Sequence, residues 1–188
     1  MKRLATLLLC GLSMSAAAQW QLQEGASSLH FISVKNEHIA ETHSFEKLSG
    51  SIDDNGMLSV SLPLGSVNTL IPIRDERMRE HLFDVANNPS ASFTAKLPQT
   101  VLSMTAGQSQ VMSISGKLGL NENNVDVVFD VLVSRLNDNT LQATTIKPTI
   151  INAADFDLVE GISMLQSIAG LNSITKAVPV SFSVTFNQ

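Results

Sequence analysis

Cysteine, tyrosine and charged residues are scarce in this chain of 188 residues. It has one cysteine, Cys10, no tyrosine, one tryptophan and only 15% charged residues. Cys10 lies in an N-terminal segment that we expect to be removed, so the mature chain has no disulfide and no thiol nucleophile. Stability must therefore come from the burial of apolar side chains, and a chain of this length can bury a sizeable core.

Long apolar runs are also missing, apart from one at the N-terminus. Two basic residues precede an apolar stretch at residues 4–12, and small residues follow at 15–18. This order is typical of a secretory signal peptide, and the apolar stretch is too short to span a bilayer as a helix. We predict that residues 1–18 are a removed signal peptide and that residues 19–188 form a single exported domain.

A surplus of positive charge is absent as well. The formal net charge is −5 at pH 7, and loss of the signal peptide would remove two of the basic residues, Lys2 and Arg3. An acidic chain repels the phosphates of nucleic acids and the headgroups of anionic lipids. The charge balance therefore disfavours both as general partners.

The sequence has no motif that marks a catalytic centre. It has no G-x-S-x-G nucleophile elbow, no HExxH helix and no glycine-rich phosphate loop. The best metal candidates are His38, Glu41 and His43, because Glu41 and His43 would share one face of an extended segment. Their spacing matches no zinc signature, and a solvated polar edge is the favoured interpretation. We predict a non-enzymatic protein without a metal or a cofactor.

What the sequence does contain is alternation of apolar and polar residues with a period of two. The clearest run is at residues 178–187, and this period is typical of strands with one buried face. Turn residues at 53–56, 121–124 and 137–139 connect neighbouring strands as hairpins. The pattern predicts an all-β antiparallel sandwich or barrel. Further strands are predicted at residues 20–23, 29–34, 45–52, 58–64, 91–97, 111–120, 125–133 and 141–145.

A charged segment at residues 66–93 departs from the strand pattern. Its apolar residues recur at helical spacing, which predicts a short helix that packs with one side between two strands. Asp75 is placed one turn before Arg79, and such a pair stabilises the exposed start of a helix.

An apolar segment at residues 157–175 is the second departure. Its apolar residues again fall on one face at helical spacing, although Gly161 and Gly170 lower its helix propensity. The segment either plugs the end of the β structure or forms a mobile lid over a ligand cavity, with the two glycines as flexible ends.

An eight-stranded closed barrel can fill its interior with side chains or hold one small apolar ligand. Secretion and an apolar interior together favour the carriage or sensing of a lipid-like molecule. Strand phase selects the residues that would line such a site: Phe31, Phe45, Leu62, Phe93, Met112, Ile114, Val127, Phe129, Phe156 and Phe182.

Short motifs in several of these segments are shared with a known family. They are S-V-N-T at residues 66–69, R-D at 74–75, A-S-F at 91–93, S-G-K-L at 115–118 and A-D-F-D at 154–157. On these motifs the sequence resembles the YceI-like family over nearly the whole mature chain. The resemblance implies an eight-stranded, lipocalin-like antiparallel β-barrel with short helices, located in the bacterial periplasm, that binds polyisoprenoids or related amphiphiles.

The leading prediction is a periplasmic carrier for an isoprenoid-type or other long-chain amphiphile, such as a polyprenyl lipid or a quinone. The alternative is a packed barrel without a cavity that binds an envelope partner through residues 159–175. The ligand head could contact Arg74, Arg77 or Arg79, but we favour a structural lock of Arg74, Asp75 and Arg79 that holds the short helix at the barrel. Strand edges and the apolar segment leave homodimerisation open.

Overall fold

The computed structural model describes residues 19–188, and the predicted signal peptide lies outside them. Twelve strands in this part of the chain form one sheet. They are β1 Trp20–Leu22, β2 Ser28–Lys35, β3 Ile39–Phe45, β4 Ser49–Ile52, β5 Met57–Pro63, β6 Val67–Asn68, β7 Ser90–Lys96, β8 Ser109–Leu120, β9 Asn123–Asn137, β10 Thr140–Thr145, β11 Thr149–Asn152 and β12 Ala177–Asn187. The helices of the same residues are α1 Pro72–Arg77, α2 Gln99–Leu102 and α3 Val159–Ile168.

The sheet closes on itself because β1 has a partner on each side. Trp20 pairs with Ile52 of β4, and Leu22 pairs with Phe186 of β12. The ring β1–β4–β5–β7–β8–β9–β10–β12 therefore has eight strands, all paired antiparallel. Strand β2 continues the path of β1, β3 that of β4 and β6 that of β5. A short irregular break separates the two members of each pair. The predicted all-β, eight-stranded antiparallel barrel with short helices is confirmed.

The apolar faces of the strands turn into the barrel, as the alternation predicts. On β9, Phe129, Val131 and Val133 are buried, whereas the intervening residues face outward. Outward-facing side chains pair across strands, as in the 2.8 Å ion pair between Lys117 on β8 and Asp126 on β9. The barrel interior is thus built from one face of each strand, whereas the solvent face mixes polar side chains with exposed apolar ones such as Val111, Val128 and Leu132.

One end of the barrel is closed by packed side chains. Helix α2 follows β7 there, and its Val101 is only 2% exposed. Ile52 lies in the same core cluster with Trp20 from β1. The guanidinium of Arg135 lies over the Trp20 ring, 4.4 Å from its centroid, and covers this end from outside.

The opposite end carries α1 and α3. Helix α1 begins at Pro72, where the missing proline N–H costs no hydrogen bond, and it continues into a π-helical turn at Met78–Leu82. Helix α3 packs on that turn at Gly161, where an added Cβ would lie 2.7 Å from the carbonyl oxygen of His81. Because only a hydrogen fits, Gly161 allows a close approach between two elements.

Gly170 ends helix α3. It has φ +61°, and the Leu171 N–H donates to the carbonyl oxygen of Gln166 at 3.0 Å. This arrangement is a common helix C-terminus, in which glycine adopts the left-handed conformation without a Cβ penalty. Close packing therefore explains Gly161, and the end of the helix explains Gly170. Movement of α3 as a lid stays a prediction.

Three of the strands differ from the prediction by more than their end residues. The predicted strand at residues 45–52 is wrong, because β3 ends at Phe45 and β4 begins at Ser49. Ile39–Phe45, predicted only as a polar edge, is a full strand, and Thr149–Asn152 was not predicted as one. The inward face of β3 carries polar residues, so it lacks the apolar alternation that indicates the other strands.

Candidate ligand cavity and its polar wall

A cavity of about 560 Å³ runs through the barrel interior. At the closed end it is bounded by Ile52 and Val101, and at the opposite end by Ile71, Ile73 and Leu165. Ile71 and Ile73 are 44% and 52% exposed, so the cavity reaches the protein surface between α1 and α3. Its volume lies within the range of about 300–1,000 Å³ that small-molecule sites occupy.

Eight of the ten residues predicted by strand phase line this cavity. They are Phe31, Phe45, Leu62, Phe93, Ile114, Phe129, Phe156 and Phe182. Met112 and Val127 instead pack in the surrounding core and do not line the cavity. The ring of Phe93 lies against Gly116, 2.5 Å from where a Cβ would stand, and Gly116 is the register partner of Val127. The ring therefore occupies the interior space beside Val127.

Aromatic rings form much of the cavity wall. The Phe129 ring makes edge-to-face contacts with Phe93 and Phe182, each with centroids 5.2 Å apart. On the other side, Phe31 and Phe45 lie 5.4 Å apart. Such pairs are favourable beyond the area they bury, and they fix the ring positions. This part of the wall is therefore apolar, with ring positions that are fixed by mutual contact.

The β2–β3 hairpin forms one wall whose polarity rises toward the open end. Phe31 pairs in register with His43, and Ser33 with Glu41. These four side chains and that of Lys35 all line the cavity. From the interior toward the open end, the wall therefore changes from Phe31 beside His43 to Ser33 beside Glu41 and then to Lys35.

His43 is the deepest polar residue of this wall. It is 5% exposed, its Nε2 lies 2.9 Å from Ser33 Oγ, and its ring centroid lies 5.1 Å from that of Phe31. Burial, and then the positive charge of Arg74, lowers the pKa of His43 below its ordinary value. At neutral pH the imidazole is therefore uncharged, with one donor and one acceptor nitrogen.

Glu41 joins two cations at the open end of the wall. Its Oε2 accepts hydrogen bonds from Lys35 Nζ at 2.9 Å and from Arg74 Nη1 at 2.8 Å. The hydrogen bond from Lys35 lowers the pKa of Glu41, and the charge of Arg74 acts in the same direction against the opposing effect of burial. The carboxylate is therefore ionised at neutral pH and links β3 to α1.

Two of the three residues of the predicted structural lock, Arg74 and Asp75, make hydrogen bonds to Thr69. Asp75 Oδ1 accepts a hydrogen bond from the Thr69 backbone N–H at 2.8 Å, and the Thr69 hydroxyl donates to the same oxygen. Arg74 Nη2 donates to the Thr69 carbonyl at 2.6 Å. Within the part of the chain that the structure describes, Arg79 Nη1 donates to the carbonyl oxygen of Gly65 at 3.5 Å and forms no ion pair with Asp75, so the predicted Asp75–Arg79 pair is wrong. Asp75 has a buried partner in Thr69 and turns inward, away from the exposed helix face.

Residues 20–186 match the family model of the YceI-like domain. The chain belongs to the YceI-like family. A comparison with curated proteins found no match. Helices in residues 19–188 are all too short or too polar to cross a membrane.

Solved structures have the same fold as this YceI-like chain. A polyisoprenoid binding domain from Saccharophagus degradans, implicated in plant cell wall breakdown, is 33% identical with a TM-score of 0.86, covering 89% of this chain and 97% of its own. BcnA of Burkholderia cenocepacia is 18% identical with a TM-score of 0.65, covering 87% and 98%. The YCEI protein of Campylobacter jejuni is 18% identical with a TM-score of 0.56, covering 78% and 84%.

The polar wall of this YceI-like barrel was not part of the predicted site. Glu41 and His43 were considered only with His38 as metal candidates, and His38 lies in the exposed β2–β3 turn. Among residues 19–188, no three acidic, histidine or cysteine side chains are grouped to hold a metal ion. The period of two that joins Glu41, His43 and Phe45 was the signal that could have placed all three inside the barrel.

Proposed function

We propose that this protein is a periplasmic, non-enzymatic carrier or buffer for a long-chain amphiphile of the isoprenoid type, such as a polyprenyl lipid or a quinone. The observation that carries the proposal is the apolar cavity of about 560 Å³ that opens between α1 and α3. Removing a hydrocarbon tail from water into such a cavity is favourable without any covalent or ionic chemistry.

The comparison with the domain from Saccharophagus degradans supports this ligand class, because that domain is described as polyisoprenoid binding and is 33% identical over 89% of this chain. At about 0.3 kcal/mol per heavy atom, a tail of roughly thirty carbons would contribute about 9 kcal/mol. That free energy corresponds to a dissociation constant below about one micromolar. A tail alone is therefore sufficient for useful binding.

The pair of Ser33 and His43 supports binding rather than hydrolysis. In a triad of serine, histidine and an acidic residue, a carboxylate holds the other ring nitrogen of the histidine. Here Nδ1 of His43 has no hydrogen-bond partner among residues 19–188, and Glu41 is engaged with Lys35 and Arg74. The arrangement therefore has the polarity of a binding site and lacks the third member of a catalytic triad.

The test is organic extraction and native mass spectrometry of the protein purified from its own periplasm. We expect a reproducible isoprenoid-type molecule in one-to-one ratio, and a thermal shift when quinones or polyprenols are added to stripped protein. A protein that is always recovered empty, with no shift from either ligand class, would refute the carrier function.

A matched pair of variants makes the test specific to the cavity. Ala143 lines the cavity, and Ala143→Phe would fill part of it, whereas Ala40 lies on an exposed position of β3. We expect Ala143→Phe to lose ligand while remaining folded, although overpacking costs about 1–3 kcal/mol. Ala40→Phe should keep its ligand. Equal ligand content in both variants would place the ligand outside the barrel.

The alternative function, an interaction module, keeps one supporting observation. Met164 and Ile168 on α3 are 51% and 36% exposed, which leaves apolar surface for a partner. The packed barrel assumed for that alternative is wrong, because the interior contains a cavity. Deleting residues 159–175 separates the two functions: altered ligand exchange in the isolated protein supports the carrier, and loss of a partner with unchanged apolar binding supports the module.

A further inference from the structure

Polar groups inside the barrel are concentrated on one wall, near the open end of the cavity. His43 lies two residues deeper along β3 than Glu41, and Ser33 lies two residues deeper along β2 than Lys35. Glu41 forms ion pairs with Lys35 and Arg74 near the open end. Apolar side chains line the remainder of the cavity toward the closed end. An amphiphile can match this distribution in one orientation only, with its tail toward the closed end and its head at the wall.

Two buried nitrogen atoms, one on this wall and one on the neighbouring helix α1, have no hydrogen-bond partner among residues 19–188. They are Nδ1 of His43 and Nε of Arg74. His43 as a whole is 5% exposed and lines the cavity, so its free nitrogen is withdrawn from bulk water. An unpaired buried polar atom costs roughly 1–3 kcal/mol, and natural structures rarely leave one without a role. A bound head that pairs with these atoms would recover that cost.

The β2–β3 wall and helix α1 together present more hydrogen-bond donors than acceptors to the cavity. Lys35, Arg74 and Arg77 line the cavity with three positive charges, and Glu41 supplies the facing carboxylate. One oxygen of Glu41 already accepts from both Lys35 and Arg74. The donors that remain are N–H groups of the cations and one further hydrogen from the pair of Ser33 and His43, because one of these two side chains donates to the other. Such a set fits oxygen atoms that accept hydrogen bonds and disfavours an ammonium head.

We propose that Ser33, His43 and Arg74 form a headgroup subsite that binds the acceptor oxygens of an amphiphile, either carbonyl oxygens or those of a phosphate. The inference rests on the proposed function and specifies how that ligand is held. The head lies between the β2–β3 hairpin and α1, and the tail runs past Phe31 and Phe45 toward Phe129. The subsite selects among ligands with equal tails, whereas the tail supplies most of the affinity.

The experiment measures the affinity of stripped protein for four probes with the same or similar tail: geranylgeranyl phosphate, a geranylgeranyl ketone, geranylgeranyl amine and the parent hydrocarbon. We expect the phosphate and the ketone to bind more tightly than the hydrocarbon, and the amine to bind no better than the hydrocarbon. Comparing the affinity for the phosphate with that for the ketone distinguishes a preference for an anionic head from one for a neutral head. His43→Leu should reduce the preference for an oxygen head by about tenfold and leave hydrocarbon binding unchanged.

Two further variants keep the result interpretable. His43→Gln retains a donor and an acceptor and should restore part of the preference. Val180→Ala is the apolar control, because Val180 lines the cavity and is the register partner of Phe31 on the other side. It should weaken all four probes by a similar factor. Loss of fold in His43→Leu would be seen as equal weakening of every probe, and His43→Gln then decides.

Different failures have different meanings. If no probe binds to any variant, the proposed function is wrong. If all four probes bind wild-type protein equally and His43→Leu changes none of the ratios, the headgroup subsite is refuted while the carrier function stands. A preference for the amine would also refute it, because the donor surplus would then not control selectivity. If the free nitrogens bind only ordered water, all four probes should likewise bind equally.

Discussion

Asp75 on α1 accepts two hydrogen bonds from a single residue, Thr69, through the same carboxylate oxygen. Thr69 is 3% exposed and Asp75 is 9% exposed, so this contact is almost free of water. Arg74 binds the carbonyl of Thr69 and also Glu41 on β3. Arg74 and Asp75 of α1 thus hold the segment that contains Thr69 against the barrel, next to the cavity opening.

Replacement of Asp75 by alanine should lower stability more than ligand affinity. The change leaves the N–H of Thr69 buried without an acceptor and leaves its hydroxyl only the Ile71 carbonyl oxygen, at 3.4 Å. We therefore expect the free energy of unfolding to fall by about 2 kcal/mol. Urea denaturation measures the loss, and isothermal titration measures affinity. Glu76→Ala, on an exposed position of the same helix, is the control and should change neither quantity. A large loss of affinity at unchanged stability would assign Asp75 to the ligand site.

The ion pairs of Glu41 should give the protein a pH-dependent stability. The folded-state pKa of Glu41 is lowered, chiefly by the hydrogen bond from Lys35. A lowered carboxyl pKa contributes stability above the unfolded value of about 4.3, and this is lost as the pH falls through the folded value. Glu41→Gln should therefore be less stable than wild type by about 1 kcal/mol at pH 7, with the difference disappearing on acidification.

Denaturation curves of wild type and Glu41→Gln at several pH values between 7 and 3 measure this difference. The exposed Glu76→Gln is the matched control and should follow wild type at every pH. A difference that stays constant from neutral to acidic pH would mean that Glu41 acts through packing and that its charge contributes nothing.

The strands that could be predicted are those whose inward face is uniformly apolar. In β12 the apolar side chains alternate without interruption, so both its extent and its phase follow from the period of two. Strand β3 was missed because Glu41 and His43 occupy inward positions, where the pattern requires apolar residues. The exception coincides with the polar wall, which agrees with the rule that local patterns fail most often at functional sites.

Long-range partners explain the remaining differences. Asp75 and Arg79 have the correct spacing for a helix pair, but Thr69 provides Asp75 with two buried hydrogen bonds, and an exposed pair contributes only a few tenths of a kcal/mol. Gly161 looked like a helix-weakening residue because its contact with the π-helical turn at Met78–Leu82 spans many residues of sequence. Single-sequence periodicity contains no information about either contact.

Leu70 is held in an unfavourable backbone conformation, and its replacement by glycine should stabilise the protein. It has φ +63° and is 84% exposed, so its side chain loses little packing on removal. A non-glycine residue in this region costs about 1–2 kcal/mol, and the greater freedom of glycine in the unfolded chain offsets roughly 0.5–1 kcal/mol of the gain. We expect a net increase on the order of 0.5 kcal/mol by urea denaturation. Leu70→Ala keeps the Cβ and should show no gain.

Gly161 offers a direct test of whether α3 is fixed by packing or moves as a hinged lid. In Gly161→Ala the new Cβ would lie 2.7 Å from the carbonyl oxygen of His81 and 2.9 Å from the Cα of Leu82. Both are backbone atoms that cannot turn away, so overpacking of about 1–3 kcal/mol should exceed the gain in helix propensity of about 1 kcal/mol. We therefore expect lower stability and faster ligand release, because α3 is pushed away from the cavity opening.

The two interpretations of Gly161 predict opposite signs. If Gly161 serves as a flexible hinge, alanine should stiffen the helix, raise stability and slow ligand exchange. Ser167→Ala, on an exposed position of the same helix, controls for helix propensity and should raise stability slightly without affecting exchange. Stopped-flow displacement of a fluorescent isoprenoid, measured beside thermal unfolding, separates the outcomes. Higher stability with slower exchange in Gly161→Ala would refute the packing role and favour the lid.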